Sequence, residues 1–209
     1  MKPPSIKSRL KSGARRPRRL LLAVAVALAA AQGSGAAAQT FEERQQLCLS
    51  CHGVAGQSET ENTPSLGGQP SLYVLIQLFM FRQNLRTVEP MNEMVKGVSD
   101  ADLQRLADFI AKQPPPKPAD AGDMDAERAK RAQALVTAHR CAFCHNNLAG
   151  GESLPRIAAQ REDYLLKALR EYKSGARREY QPVMAEVMTR LTDADIADLA
   201  HFLARTGVP

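Results

Sequence analysis

No acidic residue occurs among the first 38 positions, no run of eighteen apolar residues follows them, and no cysteine stands outside two tight clusters. Each absence excludes a class of protein. The eight cations of the opening segment (Lys2, Lys7, Arg9, Lys11, Arg15, Arg16, Arg18 and Arg19) account for the whole positive surplus of the 209-residue chain. Overall, 28 Lys+Arg face 22 Asp+Glu, yet beyond Ala38 acids outnumber bases by two. A nucleic-acid binder needs a persistent cationic surface to displace phosphate counterions, so no nucleic-acid partner is expected. Without a long apolar run after the opening segment, a permanent membrane span is not expected there. The lack of scattered cysteines argues against a disulfide scaffold. No period-2 alternation marks a strand, so the expected fold class is all-α. A hydrophobic content of 44% with 24% charged residues is that of a folded chain rather than a disordered one.

The opening segment has the layout of a secretory signal. Residues 1–19 are cationic, Leu20 to Ala31 is an unbroken apolar stretch of twelve, and Ala36-Ala37-Ala38 offers the small residues a signal peptidase accepts. Cleavage is expected after about Ala38, with the mature protein in the periplasm. Twelve residues are too few to cross about 30 Å of hydrocarbon. Residues flanking the paired arginines fit a twin-arginine signal poorly.

Both cysteine clusters read Cys-x-x-Cys-His: Cys48-Leu49-Ser50-Cys51-His52 and Cys141-Ala142-Phe143-Cys144-His145. This is the attachment motif of c-type haem. Two thiols at this spacing add across the two vinyl groups of the porphyrin, and the histidine that follows lies beneath the ring as the proximal iron ligand. A thioredoxin-like pair would require a βαβ context that is absent. A zinc site shared between the clusters would have to span 89 intervening residues, and paired disulfide clips leave both histidines unexplained. Two covalently bound haem c groups are therefore expected, with Cys48, Cys51, Cys141 and Cys144 as thioether positions and iron held by His52 and His145.

The chain is an internal repeat. The haem motifs are 93 positions apart; Pro64-Ser65-Leu66-Gly67-Gly68-Gln69 matches Pro155-Arg156-Ile157-Ala158-Ala159-Gln160 at an offset of 91, as Tyr73 matches Tyr164. Ser99-Asp100-Ala101-Asp102-Leu103 matches Thr192-Asp193-Ala194-Asp195-Ile196 at 93 again. Between the copies lies Pro114-Pro115-Pro116-Lys117-Pro118, a stiff extended spacer. The expected organisation is a signal peptide at 1–38, a first domain at 39–113, a Pro-rich linker at 114–118 and a second domain at 119–209. Thr40 with Glu43, Ser99 with Asp102, and Thr192 with Asp195 read as helix caps, Asp123 or Asp125 as another, and the middle helices are expected over 71–83 and 161–173.

An iron with one histidine needs a ligand opposite or leaves that position open. His139 precedes Cys141 too closely to reach across the ring, and His201 is expected at the solvent edge of the last helix. Methionine is the remaining type. Met91 follows His52 by 39 positions and Met184 follows His145 by 39, while Met94 and Met188 lie 42 and 43 away. The equal spacing selects Met91 and Met184 as the distal metal ligands. The two copies differ on the middle helix: Ile76, Phe79 and Met80, which share one helix face, stand where the second copy has Lys167, Arg170 and Glu171. Such an apolar face packs against the linker or second domain, or it docks a partner or a second copy as a homodimer.

The paired Cys-x-x-Cys-His, the Pro-x-Leu-Gly-Gly-Gln turn, the tyrosine of the middle helix and the Met before a Ser/Thr-Asp-x-Asp helix together resemble the two-haem cytochrome c4 family. That resemblance implies tandem class I cytochrome c domains packed about a pseudo-twofold axis, haem propionate edges facing across the interface, and single-electron transfer in the periplasm. It implies redox proteins as partners: a quinol-cytochrome c reductase, a respiratory terminal oxidase or a dehydrogenase subunit, with any peripheral membrane association arising through them. The second turn departs from the family by carrying Ala158-Ala159 where a glycine is usual.

His and Met together saturate the iron, so an electron-transfer protein rather than an enzyme is expected. The first reading is a diffusible carrier delivering electrons towards a terminal oxidase. The alternative is the electron-accepting cytochrome subunit of a periplasmic dehydrogenase, flavocytochrome- or alcohol-dehydrogenase-like. A two-haem peroxidase would need an open iron position and a longer chain.

Overall fold

The structure, a computed structural model, describes residues 39–120, 124–177 and 182–207, and the expected export segment lies outside them. Among the described residues there are nine α-helices and no strand, apart from an isolated bridge between Gly151 and Leu154. None of these helices is long and apolar enough to cross a membrane.

Side-chain caps begin most of the long helices. In α1 (Phe41–His52) the Thr40 hydroxyl accepts from the Glu43 N–H at 3.2 Å while Glu43 accepts from the Thr40 N–H at 2.8 Å. The middle helix of the first half is α2 (Ser71–Arg82), followed by the short α3 (Met91–Val95) and by α4 (Asp100–Ala111), which Ser99 caps. The second half opens with α5 (Ala126–Ala138), capped by Asp125, and α6 (Cys141–Cys144). It continues with α7 (Glu162–Ser174), α8 (Val183–Thr189) and α9 (Asp193–Arg205), the last opened by a capping box of Thr192 and Asp195.

Each half packs its last helix against its middle helix, α4 on α2 and α9 on α7. The second half has one continuous core including Leu165, Leu169, Tyr172, Ile196, Leu199 and Phe202. The first half has two smaller clusters, around Phe81, Val95, Leu103 and Leu106, and around Val74, Ala107 and Ile110. Met80 is buried, so of the three residues expected on one apolar face only Phe79, 43% exposed, and the half-buried Ile76 reach the surface. A helix turn carries residues i and i+4 to nearby but distinct azimuths, and here the boundary between core and solvent falls between Ile76 and Met80.

The halves meet along a seam lined by equivalent residues. The Tyr73 N–H donates to the Glu152 carbonyl at 3.2 Å, the Asn62 N–H to Asp163 at 2.8 Å, and Arg161 to the Ser58 carbonyl at 3.0 Å. The linker crosses the first half's turn so closely that a Cβ on Gly67 would lie 2.1 Å from the Pro114 carbonyl oxygen.

Candidate haem sites

In the first half α1 carries Cys48, Cys51 and His52 on its last turn, and positions i, i+3 and i+4 share one side of a helix. The chain then turns sharply at Gly53, with φ of 85°, where a Cβ would lie 1.7 Å from the Gln57 carbonyl oxygen. In the second half the delivery is segmented: α5 ends at Ala138, Arg140 adopts a left-handed φ of 55°, and α6 restarts at Cys141.

Both histidines are held alike. His52 Nδ1 lies 2.8 Å from the Pro64 carbonyl oxygen and His145 Nδ1 lies 2.8 Å from the Pro155 carbonyl oxygen. A carbonyl can only accept, so each Nδ1 carries the proton and each Nε2 keeps its lone pair. Burial lowers both imidazole pKa values, more than the carbonyl bond raises them. Each ring is thus a neutral, oriented base of the kind that ligates iron, with its Nδ1–H fixed by an outer partner.

No disulfide joins the four cysteines; Cys48 and Cys141 are half-buried, and burial raises their thiol pKa values, while Cys51 and Cys144 are exposed. Among the described residues no group of three or more His, Cys, Asp or Glu side chains converges as metal ligands would. Cys48 and Met91 pack against the same small core of the first half, and Cys141 and Met184 against that of the second. Met188 is only 2% exposed within the second core, whereas Met184 is half-buried at the start of α8. Met94 is half-buried but does not pack against the core cluster that holds Met91.

His201 is not at the solvent edge expected from its helix. It is 6% exposed, with Nδ1 3.3 Å from Glu162, whose other oxygen accepts from Arg205 at 2.5 Å. Packing of α9 on α7 covers it, which a helical wheel of α9 alone does not reveal.

Two arginines at the 91-residue spacing, Arg86 and Arg177, went unnoticed in the sequence although the repeat marks them. Arg86 stacks over Phe81 at 4.7 Å and Arg177 over the equivalent Tyr172 at 4.6 Å. Arg177 donates to the phenols of Tyr164 at 3.2 Å and Tyr73 at 3.3 Å, and Arg86 also hydrogen-bonds Tyr164. Burial would raise the Tyr164 pKa, but the two guanidiniums overcome it and bring it down to about 8. Nearby, Arg156 is 2% exposed, and burial alone pulls its pKa to about 10. Among the described residues, Arg86 and Arg156 each bury an Nε that has no hydrogen-bond partner. A seam this positive suits the carboxylates of a porphyrin edge, so the thiols, histidines and arginines present fit a haem in each half.

The cytochrome c family pattern matches residues 35–114 and again 129–207. A cytochrome c4 of Thiocapsa roseopersicina is 33% identical over 170 residues, which cover 75% of this chain and 85% of the relative. A protein of Thiomonas intermedia (strain K12) named thiosulfate dehydrogenase electron acceptor is 31% identical over 198 residues, covering 90% of this chain and 91% of that one. Reduced recombinant cytochrome c4 from Pseudomonas stutzeri matches the fold with a TM-score of 0.71 at 26% identity, over 81% of this chain and all of that structure. Two tandem helical domains, each built around a haem-attachment motif, define a dihaem c-type cytochrome. More narrowly, the chain belongs to the cytochrome c4 family. Like its relatives it is an electron-transfer protein with two covalently bound haem c groups, and not an enzyme.

Proposed function

We propose that this cytochrome is exported to the periplasm, loses residues 1–38, and carries single electrons from a periplasmic redox protein towards a respiratory terminal oxidase. Its halves at 39–113 and 119–209 each hold one haem, joined by the linker at 114–118. Cys48 and Cys51 in one half, and Cys141 and Cys144 in the other, form the thioether bonds. His52, His145, Met91 and Met184 would supply the protein ligands to the two irons. Bound in this way, haem supplies a one-electron iron couple whose potential a thioether ligand raises. The histidines are kept neutral and oriented by the prolyl carbonyls, and the methionine thioethers would complete the ligand set, leaving no site for a substrate. The half-buried cysteines hold the ring edge against each core. The observation that carries this reading is the 2.8 Å histidine–prolyl bond, repeated behind both attachment motifs.

The Thiomonas relative favours a second reading, in which a periplasmic dehydrogenase is the direct electron donor. Purification from the native host distinguishes the two: a catalytic subunit that copurifies supports the dehydrogenase acceptor, and an isolated cytochrome oxidised by a membrane oxidase supports the shuttle. For the sites, a pyridine haemochrome assay is expected to give two haems per denatured chain. Met91→Ala and Met184→Ala are each expected to remove one thioether-to-iron charge-transfer band, while Met94→Ala and Met188→Ala leave both. One haem per chain, or loss of the band in Met94→Ala alone, would overturn the assignment.

A further inference from the structure

Gln69 and Gln160 occupy the same place in the two copies, and each is 4% exposed. Gln160 reaches into the first half: its Oε1 accepts from the Ser65 N–H at 2.8 Å and its Nε2 donates to the Ser65 carbonyl at 2.9 Å. The same Oε1 also accepts from the Arg161 N–H at 3.0 Å. Gln69 does the converse, accepting from the Arg156 N–H at 3.0 Å and donating to the Arg156 carbonyl at 3.0 Å. Ser65 and Arg156 are themselves equivalent in the repeat. Each primary amide thus satisfies both backbone groups of one residue across the seam, the two-point pairing that a neighbouring strand would otherwise provide.

The residue clamped is the one after the proline that holds the histidine. The Ser65 N–H and the Pro64 carbonyl belong to one planar peptide group, as do the Arg156 N–H and the Pro155 carbonyl. A continuous chain of hydrogen bonds therefore runs from the Gln160 oxygen through that peptide to His52 Nδ1–H, and from the Gln69 oxygen to His145 Nδ1–H. An acceptor on the N–H side of a peptide polarises its carbonyl and strengthens the bond the carbonyl accepts. In both cases the acceptor comes from the opposite half.

We propose that Gln69 and Gln160 are crossed positioning residues, each amide orienting and polarising the carbonyl that holds the proximal histidine of the other half. The proposal rests on His52 and His145 being the proximal ligands. A polarised carbonyl draws the Nδ1 proton, makes the imidazole a stronger donor to iron and favours the oxidised state. Removing one glutamine amide therefore raises the potential of the haem across the seam. The two haems of one chain are tuned by each other's protein, so docking or loosening at the seam changes both.

The test uses the full-length dihaem protein with Gln160→Met and Gln69→Met, which keep volume and remove the amide. Both potentials are measured by spectroelectrochemistry, with each haem assigned by its hyperfine-shifted proton resonances. Gln160→Met is expected to shift upward chiefly the haem attached at Cys48 and Cys51, and to speed amide exchange at Ser65 about tenfold, the loss of about one hydrogen bond. Gln69→Met is expected to shift the haem at Cys141 and Cys144 and to speed exchange at Arg156. A larger shift on the substituted half, equal shifts on both haems, or no shift would each overturn the proposal. If either variant fails to accumulate with two haems, Gln160→Asn and Gln69→Asn, one methylene shorter, give the same crossed pattern or overturn it. Failure of the ligand assignment shows separately, as an unchanged low-spin haem spectrum in His52→Ala or His145→Ala; exchange at Ser65 and Arg156 reports the amide bridges independently of it.

Discussion

The two halves share the bond that holds the motif histidine and differ in how the rest of each half is tied together. Both hold the histidine of the attachment motif by a prolyl carbonyl at 2.8 Å, and both cap the last helix with a hydroxyl. The ties of the opening helices differ. In the first half Arg105 of α4 stacks on Phe41 of α1 at 3.8 Å. Its repeat equivalent in the second half is Asp198, which accepts from Arg128 at 2.9 Å and from Arg131 at 2.7 Å on α5. The same contact is thus made once by a cation on a ring and once by an acid between two cations. The turns differ too: Gly67 and Gly68 lie under Pro114 and Pro115, whereas Ala158 and Ala159 are buried and the Ala159 N–H donates to the carbonyls of Leu203 and Thr206. Duplicated sequence has kept the hydrogen bonds that orient the motif histidines and changed those that only assemble a half.

The strongest way to break this comparison is Gly67→Ala. Its Cβ would meet backbone oxygens of Pro114 and Ala55 at 2.1 and 2.9 Å, so a loss of at least about 2 kcal/mol is expected, read as a lower Tm. Ala158→Gly, on the other side of the repeat, is expected to cost only about 1 kcal/mol through chain entropy. A harmless Gly67→Ala would mean the linker does not lie on that turn.

Acid is expected to separate the halves next. The Arg131 bond holds the Asp198 carboxyl below the usual carboxylate range, with burial opposing it and Arg128 adding to it. A folded-state pKa below the unfolded one gives stability that is complete above the unfolded value, near 4, and disappears as pH falls through the lower folded value. The Arg105–Phe41 contact has no such dependence. Asp198→Asn is expected to lose on the order of 1 kcal/mol at pH 7 and progressively less as pH falls below about 4, and hydrogen exchange should assign that loss to α5 and α9.

A finer comparison exchanges the turn residues. Gly68 has φ of 66° and Ala159 has φ of 52°, a region where an L side chain is strained. Gly68→Ala is expected to cost about 1 kcal/mol, and Ala159→Gly to gain up to about 1 kcal/mol, by thermal unfolding. If both are neutral, the turns are not the constrained elements their dihedral angles describe.

The smallest effect is expected at the surface of α2. Phe79→Lys, at a position equivalent to the exposed Arg170, is expected to change stability by less than about 0.5 kcal/mol and to leave haem content unaltered. Met80→Lys, one residue on but buried, is expected to unfold the first half by placing an unpaired charge in its interior. Equal effects from the two would erase the boundary between Phe79 and Met80.

Much of this protein is local, and local features are legible in order. The attachment motifs, the caps at Thr40, Ser99 and Thr192, and the 91- and 93-residue offsets depend on neighbours a few residues apart, or on a copy that can be aligned. The middle helices, expected over 71–83 and 161–173, are observed at Ser71–Arg82 and Glu162–Ser174 because capping and periodicity fix an end only to within a residue or so. What escaped the sequence needs two surfaces to meet. His201 is buried because α7 covers it, Met80 because the core extends one residue further round α2 than its copy suggests, and Arg86 and Arg177 gain meaning only beside the tyrosines at the seam. Sequence alone determined that this chain attaches two haems in two alike halves, since covalent chemistry requires fixed residues at fixed spacing. Only the tertiary structure decided that a glutamine of each half bonds the peptide behind the other's histidine, because a hydrogen bond across the seam depends on the angle and register at which the two halves pack.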